Sequence, residues 1–318
     1  MDNLTHGLTG AIMGQAGLKK KTGLGLIALI LGANLPDIDV LSMIWLDGRE
    51  TLGFRRGITH GPIGVALLPL GLAGLLWGFD KWQTARGTRP PARDPVRFGW
   101  LYLLGLIGAI SHVLMDWLNV YGVRFLYPFD QSWYYGDTLF IIDVWLWALL
   151  IGCVWWSLRR ERKGGDGRKP AWIGIGLGLA YIAANWGITA ADTQLNGRYD
   201  EPYPARYISS PAPLLSWQRE RIAQLPGGRW LSSTWDGTDF GYGYNNSELV
   251  QCEMPDLEEA RKTNAELDAF LIWTRAPMAE GLRDGSIILR DARFYDPRAR
   301  DRFSIPLPDI QCVELVPE

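Results

Sequence analysis

The stretch "WLYLLGLIGAISHVLMDWL" (residues 100–118) decides how the first part of the chain is read. Its length matches the roughly 20 apolar residues that a helix needs to cross a bilayer core. It nevertheless carries His112 and Asp116. Their i, i+4 spacing puts both side chains on one helical face. An ionisable residue inside an apolar span is costly and marks a functional site by default. The plainer alternative is a His–Asp hydrogen bond between helices.

Working outward, other apolar runs follow the same plan. Leu24–Leu46 carries Asn34, Asp37 and Asp39; Ile63–Phe79 is uninterrupted; Leu139–Leu158 carries Asp143; Ala171–Ala191 is the fifth. Leu4–Leu18 is apolar but short, fit either for a first span or for a helix lying in the membrane interface. Trp45, Trp100, Trp155, Trp156 and Trp172 stand at the ends of these runs, as in an interfacial aromatic belt. The expected fold is a polytopic α-helical membrane bundle of five to six spans over residues 1–191, followed by an extracytoplasmic α+β domain over 192–318.

Bulk composition alone hides this division. The chain is 47% hydrophobic and 21% charged with a net charge of -2, values of an ordinary soluble protein. The near-neutral balance gives no indication of a nucleic-acid partner. Lys19–Lys21 follow the first apolar run rather than precede it, so no ordinary cleavable signal peptide is expected. Three basic clusters orient the spans: Lys19–Lys21, the Pro-rich loop with Lys81, Arg86, Arg89, Arg93 and Arg97, and the group from Arg159 to Lys169. Placing all three in the cytoplasm puts the loops 47–61 and 119–138, and everything after about 192, on the far side of the membrane.

All three histidines then fall on that far side. His6 opens the first run, His60 closes the loop "RRGITHGPIG" (residues 55–64), and His112 lies with Asp116 near the outer end of its span. Asp37, Asp39, Asp137 and Asp143 lie at the same level. Singly, each has a bland reading: an interfacial histidine, a helix capped through Thr59, a turn after Pro36, an aspartate at a span entrance. Jointly, imidazoles and carboxylates are the nitrogen and oxygen ligands of zinc and of mixed dinuclear sites. One or two divalent ions, zinc first, are therefore the expected cofactor, and a carboxylate such as Asp116 is suited to bridge a pair. No Gly-rich phosphate loop and no G-x-S-x-G elbow is present.

Taken in order, "LTHGLTGAIMG", "GANLPDIDVL", "RRGITHGPIG" and "ISHVLMDWLNVYG" resemble the motifs of the LexA-regulated, membrane-bound, predicted metal-dependent hydrolases. "YPFDQSWYYGDTLFIIDVWLW" is similar to the tract that follows them, ending near Asp143, and the likeness covers roughly residues 3–145. The chain departs from the pattern at Arg55, where many members carry histidine. The resemblance implies metal ligands at His6, Asp37 or Asp39, His60, His112 and Asp116. A remoter likeness to zinc phospholipases C and single-strand nucleases implies phosphoester chemistry, although the further histidines that hold a third ion there are absent. On that reading Arg55 and Arg56 are partners of phosphate oxygens, or else of lipid headgroups. Asn34 and Thr59 would orient ligands, and Asp37, Asp39, Asp143 and Asp137 are candidates for ligand, orienting group or general base.

The expected function is hydrolysis of a phosphoester in a lipid or lipid-linked substrate at the outer face of the membrane. One rival is a transporter that uses the His/Asp set as a transit site; another is a non-catalytic scaffold pinned by metal. In the C-terminal region, "RWLSSTW", "FGYGYN", "SELVQCEM", "AFLIWTRAP", "SIILRDARFYD" and "FSIPLP" are short strand candidates, and "PDLEEARKTNAELDAFLIW" is a helix candidate. Cys252 and Cys312 could pair in an oxidising compartment, whereas Cys153 lies within a span and serves packing. The domain is read as a cover, a substrate-binding element or a partner module.

Overall fold

The computed structural model describes residues 1–196, 206–225, 227–235, 251–295 and 300–315. The chain divides into two compact units, Met1–Asp39 with Arg56–Trp186, and Val40–Arg55 with Gly187–Glu318.

The first unit is helical. Helix α1 (Asn3–Gln15) starts at Asp2, whose carboxylate accepts from the Leu4 and Thr5 amides. It stops before Gly17, which sits at φ 125 in a conformation that side chains disfavour. Helix α2 (Gly25–Gly32) runs into a 3-10 segment over Leu35–Ile44. Helix α4 (Pro62–Ala85) opens on a proline, whose missing N–H is not needed there. Helix α5 (Phe98–Trp117), helix α6 (Val144–Arg162) and helix α7 (Arg168–Asn196) complete the unit; the short α3 (Thr51–Phe54) belongs to the second.

Three helices are long and apolar enough to cross a membrane: Pro62–Ala85, Phe98–Trp117 and Arg168–Gln194. A fourth span is reached only if Gly25–Gly32 and Leu35–Ile44, bent by 51°, count as one. The expected five to six spans are thus corrected to three or four among the described residues. The reasons are local. With 13 residues, α1 reaches only about 20 Å of the roughly 30 Å core. The run expected over Leu139–Leu158 becomes a helix only from Val144, and Arg159, Arg160 and Arg162 load its last turn with charge. The run Leu24–Leu46 breaks after Gly32.

Of the three long helices, α5 is the central one: 44% of its apolar window is buried, against 22% for Pro62–Ala85 and 17% for Arg168–Gln194. Ala28, Leu29, Leu72, Ala73, Leu101 and Leu104 form the core between α2, α4 and α5. Backbones approach closely here. A Cβ on Gly32 would stand 2.5 Å from Gly105 O, and one on Gly108 would stand 2.6 Å from Ala33 N. Small residues are what permit such contact between helices in a membrane.

Among the described residues the second unit is α+β, with two antiparallel sheets. One has the order β1 (Arg206–Pro211), β2 (Arg219–Gln224), β3 (Trp230–Trp235). The other has β4 (Gln251–Cys252), β5 (Pro277–Gly281), β6 (Ser286–Asp291), β7 (Ser304–Gln311). The helix expected over 255–273 is two helices, α8 (Glu258–Thr263) and α9 (Ala265–Trp273). Asn264 leaves the helical region and caps α9 by accepting from the Leu267 amide, which breaks the run. "AFLIW" accordingly ends a helix, and the strand begins only at Pro277. Trp273 is fully buried and stacks on Phe294 and Phe303. A disulfide joins Cys252 and Cys312, and Cys153 is buried in α6. The candidate strand "FGYGYN" and the start of "SELVQCEM" lie outside the described residues.

Candidate metal centre

Asp37, His60, His112 and Asp116 each turn one ligand atom toward the others, all within 4.8 Å. The chain brings them from three places. Helix α5 supplies His112 and Asp116, on one face as their spacing requires, with nitrogen and oxygen 3.5 Å apart. The 3-10 segment after α2 supplies Asp37, whose oxygen lies 3.8 Å from His112 Nε2. The loop before α4 supplies His60, whose Nε2 lies 3.3 Å from Asp116 Oδ2 and 3.2 Å from His112 Nε2. The glycine contact between α2 and α5 carries Ala33 up to His112, whose Nδ1 donates to Ala33 O at 2.8 Å.

The outer hydrogen bonds fix the tautomers. A carbonyl only accepts, so His112 carries its proton on Nδ1 and presents a bare Nε2. Thr59 lies 3.3 Å from Asp39 Oδ2 and 2.9 Å from His60 Nδ1; when its proton goes to Asp39, its oxygen accepts from His60 Nδ1, the tautomer in which His60 can bind metal through Nε2. In that tautomer His60 also presents a bare Nε2. Two lone pairs thus face each other at 3.2 Å beside a carboxylate. That is repulsive unless a cation joins them. Asp116 Oδ2, moreover, is buried and accepts no aligned hydrogen bond among the described residues. The spacing fits an ion. Around a tetrahedral centre with bonds of about 2.1 Å, neighbouring ligand atoms stand about 3.4 Å apart. Burial pushes the His60 imidazole below its ordinary value, although Asp116 pulls the other way, so the ring stays in the neutral form that binds metal.

Arg56 is the scaffold of this group. Its Nε lies 3.0 Å from Asp116 Oδ2, its Nη1 donates to Asn119 Oδ1 and Gly122 O, and its guanidinium covers the Tyr121 ring. Its backbone, at φ 53, is in the left-handed region, and its amide donates to Asp39 Oδ2 at 2.7 Å. A non-glycine residue there costs about 1–2 kcal/mol and persists because its surroundings hold it. His6 lies under the group, its ring stacked on His112 at 3.7 Å and its Nε2 3.3 Å from Asp116 Oδ1. The α-amino group of Met1 also contacts that oxygen.

Other sequence candidates stand elsewhere. Asp39 orients His60 through Thr59 and holds the Arg56 amide. Asp143 caps α6 by accepting from the Leu146 amide and takes the Tyr181 hydroxyl at 2.9 Å. Asn34 donates to Ile30 O at the end of its own helix. Arg55 caps α3 in the second unit. Asp137 is buried at φ 46 and is not one of the four converging groups. Sequence reasoning passed over Asn119, which accepts from both Arg56 and the Tyr121 amide. The only signal in the sequence was an asparagine three residues after Asp116, at the end of an apolar run.

Comparison with curated proteins and with solved structures finds no match. The family model of the YdjM inner membrane proteins matches residues 1–191, the part of the chain that holds all four converging groups and the apolar helices. With well over half its length covered, this chain belongs to the YdjM inner membrane protein family.

Proposed function

We propose that the chain is a membrane-bound, metal-dependent hydrolase acting on a phosphoester of a lipid or lipid-linked substrate. The observation that carries this reading is the meeting of two bare imidazole nitrogens and a buried carboxylate at 3.2–3.5 Å. Asp37, His60, His112 and Asp116 would hold one divalent ion, zinc before others for this nitrogen and oxygen set. His6 faces the other oxygen of Asp116, beside the Met1 α-amino group, and would be the further ligand for a second ion. A bound ion supplies Lewis acidity, polarising a phosphoryl oxygen and lowering the pKa of a water. The chain's own groups orient the ligands: Arg56 holds Asp116, Thr59 with Asp39 holds His60, and Ala33 O holds His112. Asp37, the partly exposed member, marks the side from which substrate enters.

The lipid substrate is supported by the site's position at the end of a membrane-crossing helix. An extracytoplasmic second unit is supported by the Cys252–Cys312 disulfide, since such bonds persist in oxidising compartments. The test is metal analysis of the purified chain together with turnover of phospholipid and chromogenic phosphoesters. Stoichiometric metal and activity, both lost in His112→Ala, are expected. A wild-type chain without metal, or a fully active His112→Ala, overturns the proposal.

The complete burial of His112 and Asp116 favours one second reading, a metal that only pins helices together. Chelation separates the two. A scaffold unfolds when stripped, whereas a catalytic centre loses turnover and regains it when the ion is restored.

A further inference from the structure

Two cavities of the first unit share one side chain, Arg168. The first, of about 500 Å³, is lined mainly by apolar groups, among them Met13, Leu18, Trp172 and Ile175, with Lys21 and Arg168 at its edge. The second, of about 490 Å³, is polar and is formed by Lys20, Glu161, Asp166, three glycines and again Arg168. Each volume lies within the range of small-molecule sites, about 300–1,000 Å³. An apolar slot that shares Arg168 with a polar cleft in strongly basic surroundings matches one kind of molecule, an amphiphile with a negative head.

The surroundings repeat that chemistry. Lys19–Lys21 and residues 159–169 together hold nine basic side chains and two acidic ones. Both acids are engaged: Glu161 pairs with Lys19 at 2.5 Å, and Asp166 pairs with Arg168 at 3.1 Å. Lys20 and Lys21 make no ion pair among the described residues. The Arg168–Asp166 pair is more than half exposed, and a pair of that kind contributes little, so a phosphate can take the guanidinium over. Trp172 is 61% exposed one turn into a membrane-crossing helix, and Lys21 lies over the Trp100 ring. Amphipathic rings beside cations are the usual furniture of the headgroup layer.

We infer that the paired cavities around Arg168 bind a single anionic phospholipid of the surrounding bilayer, with an acyl chain in the Met13–Ile175 slot and the headgroup phosphate on Lys20, Lys21 and Arg168. This site is separate from the His/Asp centre, shares no residue with it and does not depend on its chemistry.

Native mass spectrometry of the full chain, released from micelles doped with phosphatidylglycerol, tests this. One retained phosphatidylglycerol is expected, with phosphatidylcholine held roughly tenfold more weakly. Lys20→Gln/Lys21→Gln/Arg168→Gln should weaken retention of the anionic lipid roughly tenfold or more. Ile175→Trp, which fills the slot and leaves the charge intact, should weaken it as well, with helical content by circular dichroism checked in parallel; Met13→Trp serves if Ile175→Trp fails to fold. A charge-matched control in the other loop, Lys81→Gln/Arg86→Gln/Arg97→Gln, should leave retention unchanged. Equal loss in the control, full retention in the folded slot-filled variant, or displacement of the lipid by inorganic phosphate alone overturns the inference.

Discussion

Two buried aspartates, one in each unit, meet opposite treatment. Asp291 in the second unit is 1% exposed, and both of its oxygens are taken. Oδ2 accepts from the Thr274 hydroxyl, the Arg275 amide and Arg293 Nη2, while Oδ1 accepts from Arg293 N and Nε. Asp116 in the first unit is wholly buried as well, yet its Oδ2 faces two bare imidazole nitrogens and accepts no aligned hydrogen bond among the described residues. A buried carboxylate with every lone pair occupied holds structure. Asp116 also meets the Arg56 guanidinium and the Met1 amino group, but with two imidazole nitrogens and Asp37 converging beside it the group could hold a divalent ion, which Asp291 could not.

Substitutions at the two sites should therefore separate metal from stability. The largest expected effect is in His112→Ala, which removes a ligand and the proton that ties Ala33 O; bound metal should fall from stoichiometric to background by elemental analysis. Retained metal there would erase the contrast. Next, Asp291→Ala removes the carboxylate that pairs with buried Arg293 and should lower stability by about 3–5 kcal/mol in denaturant unfolding, with metal content unchanged. Acid should probe the same pair. Burial alone would raise the Asp291 carboxyl, but the charge of Arg293 and the hydrogen bonds from Arg293 and Thr274 outweigh it and leave it depressed. Its stabilisation is therefore complete above the ordinary value of 3.8 and is lost as pH falls from there through the folded value. A melting temperature of Asp291→Ala that drops with acid as steeply as the wild type's would refute that assignment.

Smaller effects sharpen the metal side. Thr59→Val keeps every ligand but frees the His60 ring, and metal affinity should weaken roughly 10–100-fold in competition with a chelator. An unchanged affinity would mean that the ring is held by packing alone. Smallest is Asp143→Ala, which removes a helix cap outside the group. It should cost about 1 kcal/mol of stability and leave metal in place, while metal loss would bring Asp143 back among the ligands.

How much of this was legible in the sequence varies with the range of the interaction concerned. His112 and Asp116 were legible because a helix fixes the i, i+4 relation locally, whatever the remainder of the chain does. His60 and Asp37 needed topology and motif likeness, since Asp37 follows backbones that pass at Gly32 and Gly108 and His60 arrives on a separate loop before α4. Asp39 and Asp37 share a motif and looked equivalent; only the position of the Thr59 hydroxyl separates one that orients from one that converges. Arg56 read as an anion partner because charge alone is visible in a sequence, whereas its four-way engagement is tertiary. The number of spans was overstated because apolar composition does not reveal where a helix ends: Gly17 stops α1 early, and the arginines at the end of α6 shorten its apolar window. The break at Asn264 was hidden for the same reason, inside a run of good helix formers.

The bend between Gly25–Gly32 and Leu35–Ile44 carries a consequence for assembly. A helix that stops inside a membrane strands its last carbonyls where no water can reach them, and such groups must find protein donors. At Ala33 the donor is His112 from another helix. The imidazole that completes this broken backbone is also one of the four groups that could hold a metal ion, so the proposed site cannot be finished before the bend is. Metal uptake should therefore follow insertion and docking of α2 against α5, and a chain stalled before that step would emerge with the kink unmended and no place for an ion.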